Sequence, residues 1–174
     1  MSERHLVLVG LMGAGKTTVG QCCAELLDRA FVDTDELIVA SAGVPFDDIW
    51  AAEGEQGFRA RERVAVADAV ASPVPLVISC GGGAVLDADN RRALRSRGVV
   101  IWLIASSTEL AARLVQDDSR PLLEGGDKTA TLERLGLQRE PAYEAAAHLR
   151  VETDGRRVDD VAAAVVEEYR AWNE

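Results

Sequence analysis

The amino-acid sequence predicts an α/β fold, with about five parallel strands in one sheet and helices on both of its faces. Short apolar segments alternate with helix-like segments along the whole chain, which is the pattern of strand and helix units. The apolar segments are continuous, as expected for strands that are covered on both faces. Two of them, residues 5–9 and 75–80, run directly into glycine-rich stretches. In open α/β sheets, ligands bind at this carboxyl end of the strands.

Five segments have the apolar and β-branched composition of strands. In chain order, the predicted strands are residues 5–9, 30–32, 75–80, 99–104 and 148–152. The fourth is the most apolar of them, which indicates burial on both faces. Since a helical segment lies between each consecutive pair, the strands are expected to run parallel.

The segments between the strands carry apolar residues at helical spacing and are bounded by capping or turn-forming residues. Asp33 or Thr34 would cap the second helix, and Ser107 or Thr108 would cap the helix after the fourth strand. Gly98 would end the helix before that strand. Apart from one longer segment, the predicted helices cover residues 18–29, 36–42, 89–97, 107–115, 129–147 and 158–172.

Two segments depart from this regular pattern. Residues 46–71 have helical spacing that is interrupted near Gly54 and Gly57, which predicts two helices or one kinked helix. Residues 116–128 are polar and contain a proline and a pair of glycines. We interpret them as a candidate mobile lid.

Composition predicts a single domain of residues 1–174. A chain of this length with 48% hydrophobic content can bury one substantial core. No apolar run approaches the roughly 20 residues that span a bilayer, and the N-terminus lacks the layout of a signal peptide. We therefore expect a cytoplasmic protein without a membrane partner. The net charge of −10 argues against nucleic acid as a partner, because phosphate backbones are bound by basic surfaces.

The strongest motif is Gly10-Leu-Met-Gly-Ala-Gly-Lys-Thr17, which matches the phosphate-loop pattern G-x-x-x-x-G-K-[ST] at every fixed position. In this motif, backbone N–H groups surround the phosphates, the lysine reaches the outermost ones, and the hydroxyl ligates Mg²⁺. The helix that follows would direct the positive end of its dipole at the anion. The candidate residues for nucleotide binding are Gly13, Ala14, Gly15, Lys16, Thr17 and Thr18.

A phosphate loop alone does not distinguish kinases, ATPases and GTPases. The base-reading N-K-x-D of GTPases is absent, and no apolar strand ends in the aspartate of a conventional Walker B motif. The nearest substitute is Asp33, which could reach a Mg²⁺ ion through its water shell while Thr17 binds the ion directly. Alternatively, Asp33 is only the N-cap of the next helix. The sequence is compatible with both roles.

Four arginines near the predicted ligand-binding edge and the lid are further candidates: Arg59, Arg113, Arg120 and Arg139. A single arginine is more often a solvated surface charge than a ligand. Phosphoryl transfer nevertheless needs cations around its donor and its acceptor.

Taken together, these motifs resemble the shikimate kinase family over nearly the whole chain. The family combines G-x-M-G-A-G-K-[ST]-T, D-x-D, F-R-x-x-E, G-G-G, an R-P-L-L lid and a late R-x-x-x-Y, in that order. Six blocks in the family order are far more specific than any one of them. The matching residues here are Gly10 to Thr18, Asp33 and Asp35, Phe58 and Arg59 with Glu62, Gly81 to Gly83, residues 120–123, and Arg139 with Tyr143.

The resemblance implies the phosphate-loop NTPase architecture of the nucleoside-monophosphate kinases. In this architecture, a helical region of about residues 34–62 would bind the substrate. About residues 116–128 would form the lid. The implied reaction is Mg²⁺-dependent transfer of the ATP γ-phosphate to the 3-hydroxyl of shikimate, a step of aromatic amino-acid biosynthesis. Two departures from the family pattern are Cys80, before the glycines, and Val158, where many members have proline.

Residue roles also follow from the resemblance. Arg59 and Arg139 would clamp the carboxylate of shikimate. Asp35 and Gly82 would hold its hydroxyls, and Asp35 could act as a base. The resemblance further implies that three glycines after the third predicted strand line the same site, namely Gly81, Gly82 and Gly83. Catalytic groups besides Asp35 would be Lys16 and Arg120, and the adenine would contact Arg113 and Val158.

Two other functions are weighed against this one. A related small kinase could act on gluconate or a nucleoside monophosphate, since such enzymes share the first loop and a lid. A nucleotide-sensing module could bind ATP without turnover, but it would need no acceptor-site groups. Asp35 and the pair Arg59 and Arg139 suit a hydroxylated carboxylic acid better. The expected partner is therefore a small molecule, shikimate, bound by a monomer.

Overall fold

The computed structural model of the protein describes residues 4–114 and 127–174. Within these ranges five strands form one parallel sheet: β1 (His5–Val9), β2 (Phe31–Asp33), β3 (Val77–Ser79), β4 (Gly98–Ile104) and β5 (Leu149–Glu152). Their spatial order is β2-β3-β1-β4-β5, so β1 lies at the centre. The predicted class, a parallel sheet of about five strands with helices, is confirmed.

Seven α-helices surround the sheet in the described part of the chain. They are α1 (Lys16–Leu27), α2 (Thr34–Ala42), α3 (Phe46–Val70), α4 (Ala88–Arg97), α5 (Ser107–Arg113), α6 (Lys128–Ala146) and α7 (Val158–Asn173). Each was predicted, and no helix end differs by more than two residues. A short 3-10 helix at Ala84–Leu86 was not predicted. Among the described residues, no helix is long and apolar enough to cross a membrane.

The two faces of the sheet are covered by different helices. Alternate residues of a strand point to opposite faces. In β1, Leu6 and Leu8 belong to the apolar cluster that includes residues of α1 and α7, and Val7 and Val9 belong to the cluster that includes residues of α3 and α4. All four side chains are 0–1% exposed. The continuous apolarity of the segment therefore reflects burial on both faces, as the sequence predicted.

The two ends of α1 and the N-cap of α5 differ from the prediction for local reasons. Helix α1 begins two residues earlier because Gly15, at φ 89°, is its N-cap, and it ends at Leu27 because Asp28 takes a left-handed conformation. Helix α5 is capped by Ser106, whose Oγ accepts from the N–H of Glu109 at 3.3 Å. The predicted cap at Ser107 or Thr108 is wrong, because both lie inside the helix.

The long segment between α2 and β3 is one helix with a kink. Gly54 has φ 65° and ψ −173°, a backbone conformation that is not helical and that glycine adopts more readily than other residues. Gly57, the second predicted interruption, keeps helical geometry. Of the two predicted N-caps of α2, Asp33 is the one observed, because its side chain accepts from the N–H of Asp35 at 2.9 Å.

The predicted lid, residues 116–128, lies outside the described residues except for its last two positions. Asp127 is the N-cap of α6 and accepts from the N–H groups of Thr129 and Ala130. Lys128 is the first residue of that helix rather than the end of a lid.

Histidine at the amino end of the sheet makes stability depend on pH. The Nδ1 of His148 accepts from the N–H of Val100 at 3.0 Å, and its ring packs on Trp172 with centroids 5.0 Å apart. Burial, with Arg95 and Arg4 nearby, lowers the pKa of His148 to about 4. The folded protein therefore binds this proton more weakly than the unfolded chain does. The free energy of unfolding should decrease as pH falls from about 6.5 towards 4.

The variant His148→Asn tests this dependence, because its amide oxygen can replace Nδ1 as an acceptor but does not titrate. Between pH 7.5 and pH 5.5, we expect the melting temperature of the natural protein to fall by at least about 2 °C more than that of the variant. Thermal unfolding followed by circular dichroism measures both. Equal decreases would mean that His148 does not couple protonation to folding.

Candidate active site

The phosphate loop connects β1 to α1 at the carboxyl edge of the sheet. Gly13 and Gly15 have φ of 82° and 89°, a conformation that side chains other than glycine rarely tolerate. No side chain caps α1 in the described structure, and its first turn contains no acidic residue. The first N–H groups of α1 therefore present a positive helix end to the loop. This arrangement can bind an anion such as a nucleotide phosphate.

Lys16, Thr17 and Asp33 form the polar side of this loop. The Nζ of Lys16 donates to the backbone oxygen of Leu11 at 2.9 Å. The Thr17 hydroxyl donates to Asp33 Oδ2 at 2.9 Å, which leaves its oxygen lone pairs for another ligand. Asp33 is 9% exposed, and its other oxygen caps α2. The two predicted roles of Asp33 are therefore compatible, because each uses a different carboxylate oxygen.

A cavity of about 470 Å³ opens beside the phosphate loop. Its walls include residues 13–18 of the loop and α1, together with Arg113, Val158 and Arg156. The predicted nucleotide-binding residues in the described ranges therefore all lie around one cavity. Arg156 also lines it but was not singled out from the sequence.

The guanidinium of Arg113 is held by acceptors from three parts of the fold. Its Nε donates to Glu109 Oε1 at 3.1 Å, and its Nη1 donates to the backbone oxygen of Gly13 at 3.3 Å. Thr153, which is 2% exposed, accepts through both Oγ1 and its backbone oxygen, at 3.2 and 3.1 Å. The planar group thus has a fixed orientation at the rim of the cavity. Glu109 and Thr153 were missed by the sequence analysis because their contacts with Arg113 depend on the fold.

The three glycines after β3 make room for charged side chains. A Cβ on Gly81 would lie 2.6 Å from Asp35 Oδ1, and one on Gly83 would overlap the Arg59 guanidinium. A Cβ on Gly82 would lie 3.5 Å from Arg139 Nη1 and 3.5 Å from the N of Met12 in the phosphate loop. The glycines therefore bring one carboxylate and two guanidinium groups next to the phosphate loop. The sequence had predicted these residues as one site.

Glu62 lies beneath this group of charges. Its side chain is 2% exposed, and its Oε2 accepts from Arg59 Nη1 at 2.7 Å. Burial raises the pKa of Glu62, and the neighbouring Arg59 and Arg139 oppose that increase. Glu62 was quoted from the sequence only as part of a motif, without a role. The structure gives it a contact with one of the two arginines.

Tyr143 contacts the same glycines from α6. Its hydroxyl donates to the backbone oxygen of Gly82 at 2.6 Å, and its ring stacks on Trp102 with centroids 5.3 Å apart. The residue is 1% exposed, and burial raises its pKa to about 12 although the positive charge of Arg139 opposes this. The phenol is therefore protonated at neutral pH.

Helices α2 and α3 position Asp35 and Arg59 through a small apolar cluster of their own. Ile38, Ile49 and Phe58 are 1–3% exposed and form its centre. Asp35 is three residues before Ile38, and Arg59 follows Phe58 directly. This cluster occupies the region, about 34–62, that the sequence analysis assigned to substrate binding. Of the predicted site residues, Arg120 alone lies outside the described ranges.

Comparisons with known proteins give the same identification as the motifs. A family model described as shikimate kinase matches residues 12–170. A curated shikimate kinase from Symbiobacterium thermophilum is 50% identical over 172 residues, which are 98% of this chain and 98% of that protein.

Solved structures agree with this match. A shikimate kinase from Acinetobacter baumannii in complex with shikimate superposes with a TM-score of 0.93 at 37% identity, covering 97% of this chain and 94% of that one. A shikimate kinase from Bacteroides thetaiotaomicron superposes with a TM-score of 0.86 at 27% identity, covering 98% of each chain.

Proposed function

The chain belongs to the shikimate kinase family, and we propose from this premise how its own residues perform the reaction. The enzyme transfers the γ-phosphate of ATP to the 3-hydroxyl of shikimate, an alcohol acceptor. The single observation that carries the assignment of roles is the group formed by Asp35, Arg59 and Arg139 around Gly81 to Gly83. It offers a base and two planar cations next to a phosphate loop.

The nucleotide would occupy the cavity beside the phosphate loop. The N–H groups of residues 13–18 would bind its phosphates, and Lys16 would supply a cation at the outer ones. Arg113 would lie against the adenine, because its guanidinium is planar and is already oriented by Glu109 and Thr153. Val158, in the wall of the same cavity, would contact the base from α7.

We assign the Mg²⁺ site to Thr17 and Asp33. Mg²⁺ prefers oxygen ligands and usually keeps several waters, so one hydroxyl and one outer carboxylate are a suitable set. The contact of 2.9 Å between Thr17 Oγ1 and Asp33 Oδ2 fits this role, since the threonine oxygen keeps its lone pairs for the ion. When bound, the ion would offset negative charge on the phosphates.

The acceptor carboxylate would be held by Arg59 and Arg139. A guanidinium can bind a carboxylate through two parallel hydrogen bonds, and two such groups fix both the position and the plane of the acceptor. Arg139 is 5% exposed, and the Arg59 side chain is 20% exposed. The binding of a carboxylate would therefore take place in a partly dehydrated site, where charged hydrogen bonds are strong.

Asp35 and Gly82 would orient the hydroxyl groups of the ring. Asp35 would accept a hydrogen bond from the hydroxyl that attacks and could remove its proton. Phosphoryl transfer has a loose transition state, so alignment contributes more than early deprotonation does. Lys16 would stabilise the charge that develops on the transferred phosphate. Arg120, outside the described residues, is assigned to the same phosphate on the motif resemblance alone.

We also propose that the enzyme works in the cytoplasm as a monomer, without nucleic acid or membrane partners. The residues that we assign to both substrates come from one chain, so no second subunit is needed to complete the site. The net charge of −10 disfavours binding to nucleic acid and to anionic membranes, because both surfaces are negative. Sedimentation at several concentrations would test the monomer directly.

An ADP-release assay with a panel of acceptors tests the function. Shikimate should stimulate ADP release from ATP and Mg²⁺ far above the rate without acceptor. Gluconate, AMP and CMP should not, because none presents a ring carboxylate to the arginine pair. Stimulation by one of these three but not by shikimate would overturn the assignment.

The role of Arg113 predicts a selective loss of nucleotide affinity. Arg113→Ala removes a stacking surface for adenine and the contact with Gly13 O, so we expect the KM for ATP to rise about tenfold. The KM for shikimate should change by less than about twofold, because Arg113 contacts none of the acceptor residues. Steady-state kinetics with each substrate varied in turn measures both. A comparable rise in the two values would contradict an adenine-side role.

A further inference from the structure

Tyr143 has a position that the assigned roles do not use. It lies one helical turn after Arg139 on α6, and residues four apart share a face of a helix. Its hydroxyl therefore reaches the acceptor site from the same side as the arginine. The partner of that hydroxyl, Gly82, is 61 residues earlier in the chain.

The hydroxyl connects two groups that we assigned to shikimate. It donates its proton to the backbone oxygen of Gly82, at 2.6 Å, and the Arg139 guanidinium is close enough to its oxygen to oppose the increase in its pKa. A neutral phenol that gives its one proton to Gly82 keeps two acceptor lone pairs for that guanidinium. Its raised pKa, about 12, keeps the proton in place at neutral pH.

The ring is fixed by packing. It stacks on Trp102 with an interplanar angle of 20°, and Arg150 lies over the Trp102 ring at 5.2 Å. Trp102 pairs in register with Val9, the last residue of β1 before the phosphate loop. The ring is therefore packed against the strand next to the centre of the sheet, and this packing limits the movement of the hydroxyl.

We propose that Tyr143 is a positioning residue for shikimate, which sets the direction of the Gly82 peptide and of the Arg139 guanidinium through one hydroxyl. This inference rests on the proposed function, because it concerns how the same acceptor site recognises its substrate. Without the hydroxyl, the Gly82 peptide and the arginine would each have to be ordered by the substrate itself. Acceptor affinity should then fall while nucleotide affinity is preserved.

The chain contains a matched control for this residue. Tyr169 is the other tyrosine of the sequence, is 2% exposed, and also links an arginine to a backbone carbonyl. Its hydroxyl donates to Arg4 O at 2.5 Å and accepts from Arg29 Nη1 at 2.7 Å. These contacts lie at the amino end of the sheet, away from both substrates. Tyr169→Phe therefore removes the same kind of hydrogen bonds without touching the site.

The test compares Tyr143→Phe with Tyr169→Phe. For Tyr143→Phe, we expect the KM and the calorimetric Kd for shikimate to rise about fivefold, with those for ATP changed by less than about twofold. Tyr169→Phe should lower the melting temperature about as much as Tyr143→Phe does, but it should leave the affinities for shikimate and ATP unchanged. Equal effects of the two variants on shikimate binding, or no effect of Tyr143→Phe, would overturn the proposal.

Two further results keep the test decisive. Should Tyr143→Phe not be obtained folded, Trp102→Phe keeps the hydroxyl but reduces its ring support, and it should raise the shikimate KM about threefold. An unchanged shikimate KM in Trp102→Phe would overturn the proposal.

The natural protein is titrated with shikimate before the variants. Failure of that protein to bind shikimate would reject the proposed function itself, whereas normal binding with an unaffected Tyr143→Phe rejects only the role of the tyrosine.

Discussion

Replacing Lys16 by alanine is expected to lower turnover by at least about 100-fold while the fold is retained. Lys16 begins α1, and it is the one lysine or arginine within the phosphate loop. Its cation would stabilise charge on the transferred phosphate, and single electrostatic contributions of this kind are worth about 2.7–4 kcal/mol. The side chain donates to the backbone oxygen of Leu11 in the loop and belongs to none of the apolar clusters, so its loss should not disturb the core.

Turnover of Lys16→Ala is measured by ADP release at saturating shikimate, and folding by circular dichroism and thermal unfolding. Arg170→Ala is a suitable control, because it removes a positive charge from the exposed end of α7. That variant should keep normal turnover. If Lys16→Ala also kept normal turnover, the phosphate loop would not be the site of transfer.

Replacing Arg139 by alanine is expected to raise the KM for shikimate by about ten- to a hundredfold. The change leaves the acceptor carboxylate with one guanidinium in a partly dehydrated site, which costs about 1.5–3 kcal/mol. ATP affinity should change by less than about threefold. Arg139→Lys should give an intermediate value, because an ammonium group carries the charge but cannot form the planar pair of hydrogen bonds.

Arg134 provides the control for this substitution. It lies on the same helix, five residues earlier, is exposed, and contacts only Gln138 at 3.5 Å among the described hydrogen bonds. Arg134→Ala should leave both affinities unchanged. Calorimetric titration of each ligand separately distinguishes the alternatives for Arg139. Equal loss of both affinities would make Arg139 a structural residue, and loss of ATP affinity alone would place it on the nucleotide side.

The elements that were predicted well depend on local signals. The phosphate loop needs glycine at positions where φ is positive, so its pattern is visible in the sequence. The strands are recognisable because burial on both faces requires continuous apolar residues. The ends of helices are harder to predict, because several neighbouring residues can each serve as the cap. In Ser106-Ser107-Thr108 any of the three could cap α5, and only the geometry selects Ser106.

The parts that were not predicted depend on contacts between distant residues. Sequence order does not reveal that β3 lies between β2 and β1. The contacts of Tyr143 with Gly82 and of Arg113 with Thr153 join residues that are 61 and 40 positions apart. The motif resemblance grouped Asp35, Arg59 and Arg139 with the glycines, beside which the structure places them, but gave no role to the groups that contact them.

The central claim is that the γ-phosphate of ATP is transferred to one hydroxyl of shikimate in the site formed by Asp35, Gly82 and the arginine pair. Phosphorus NMR of a reaction with ATP, Mg²⁺ and shikimate tests it most directly. We expect ADP and a single phosphate monoester, whose phosphorus couples to the ring proton at carbon 3. A spectrum that contained ADP with inorganic phosphate alone, or a monoester at another hydroxyl, would contradict it.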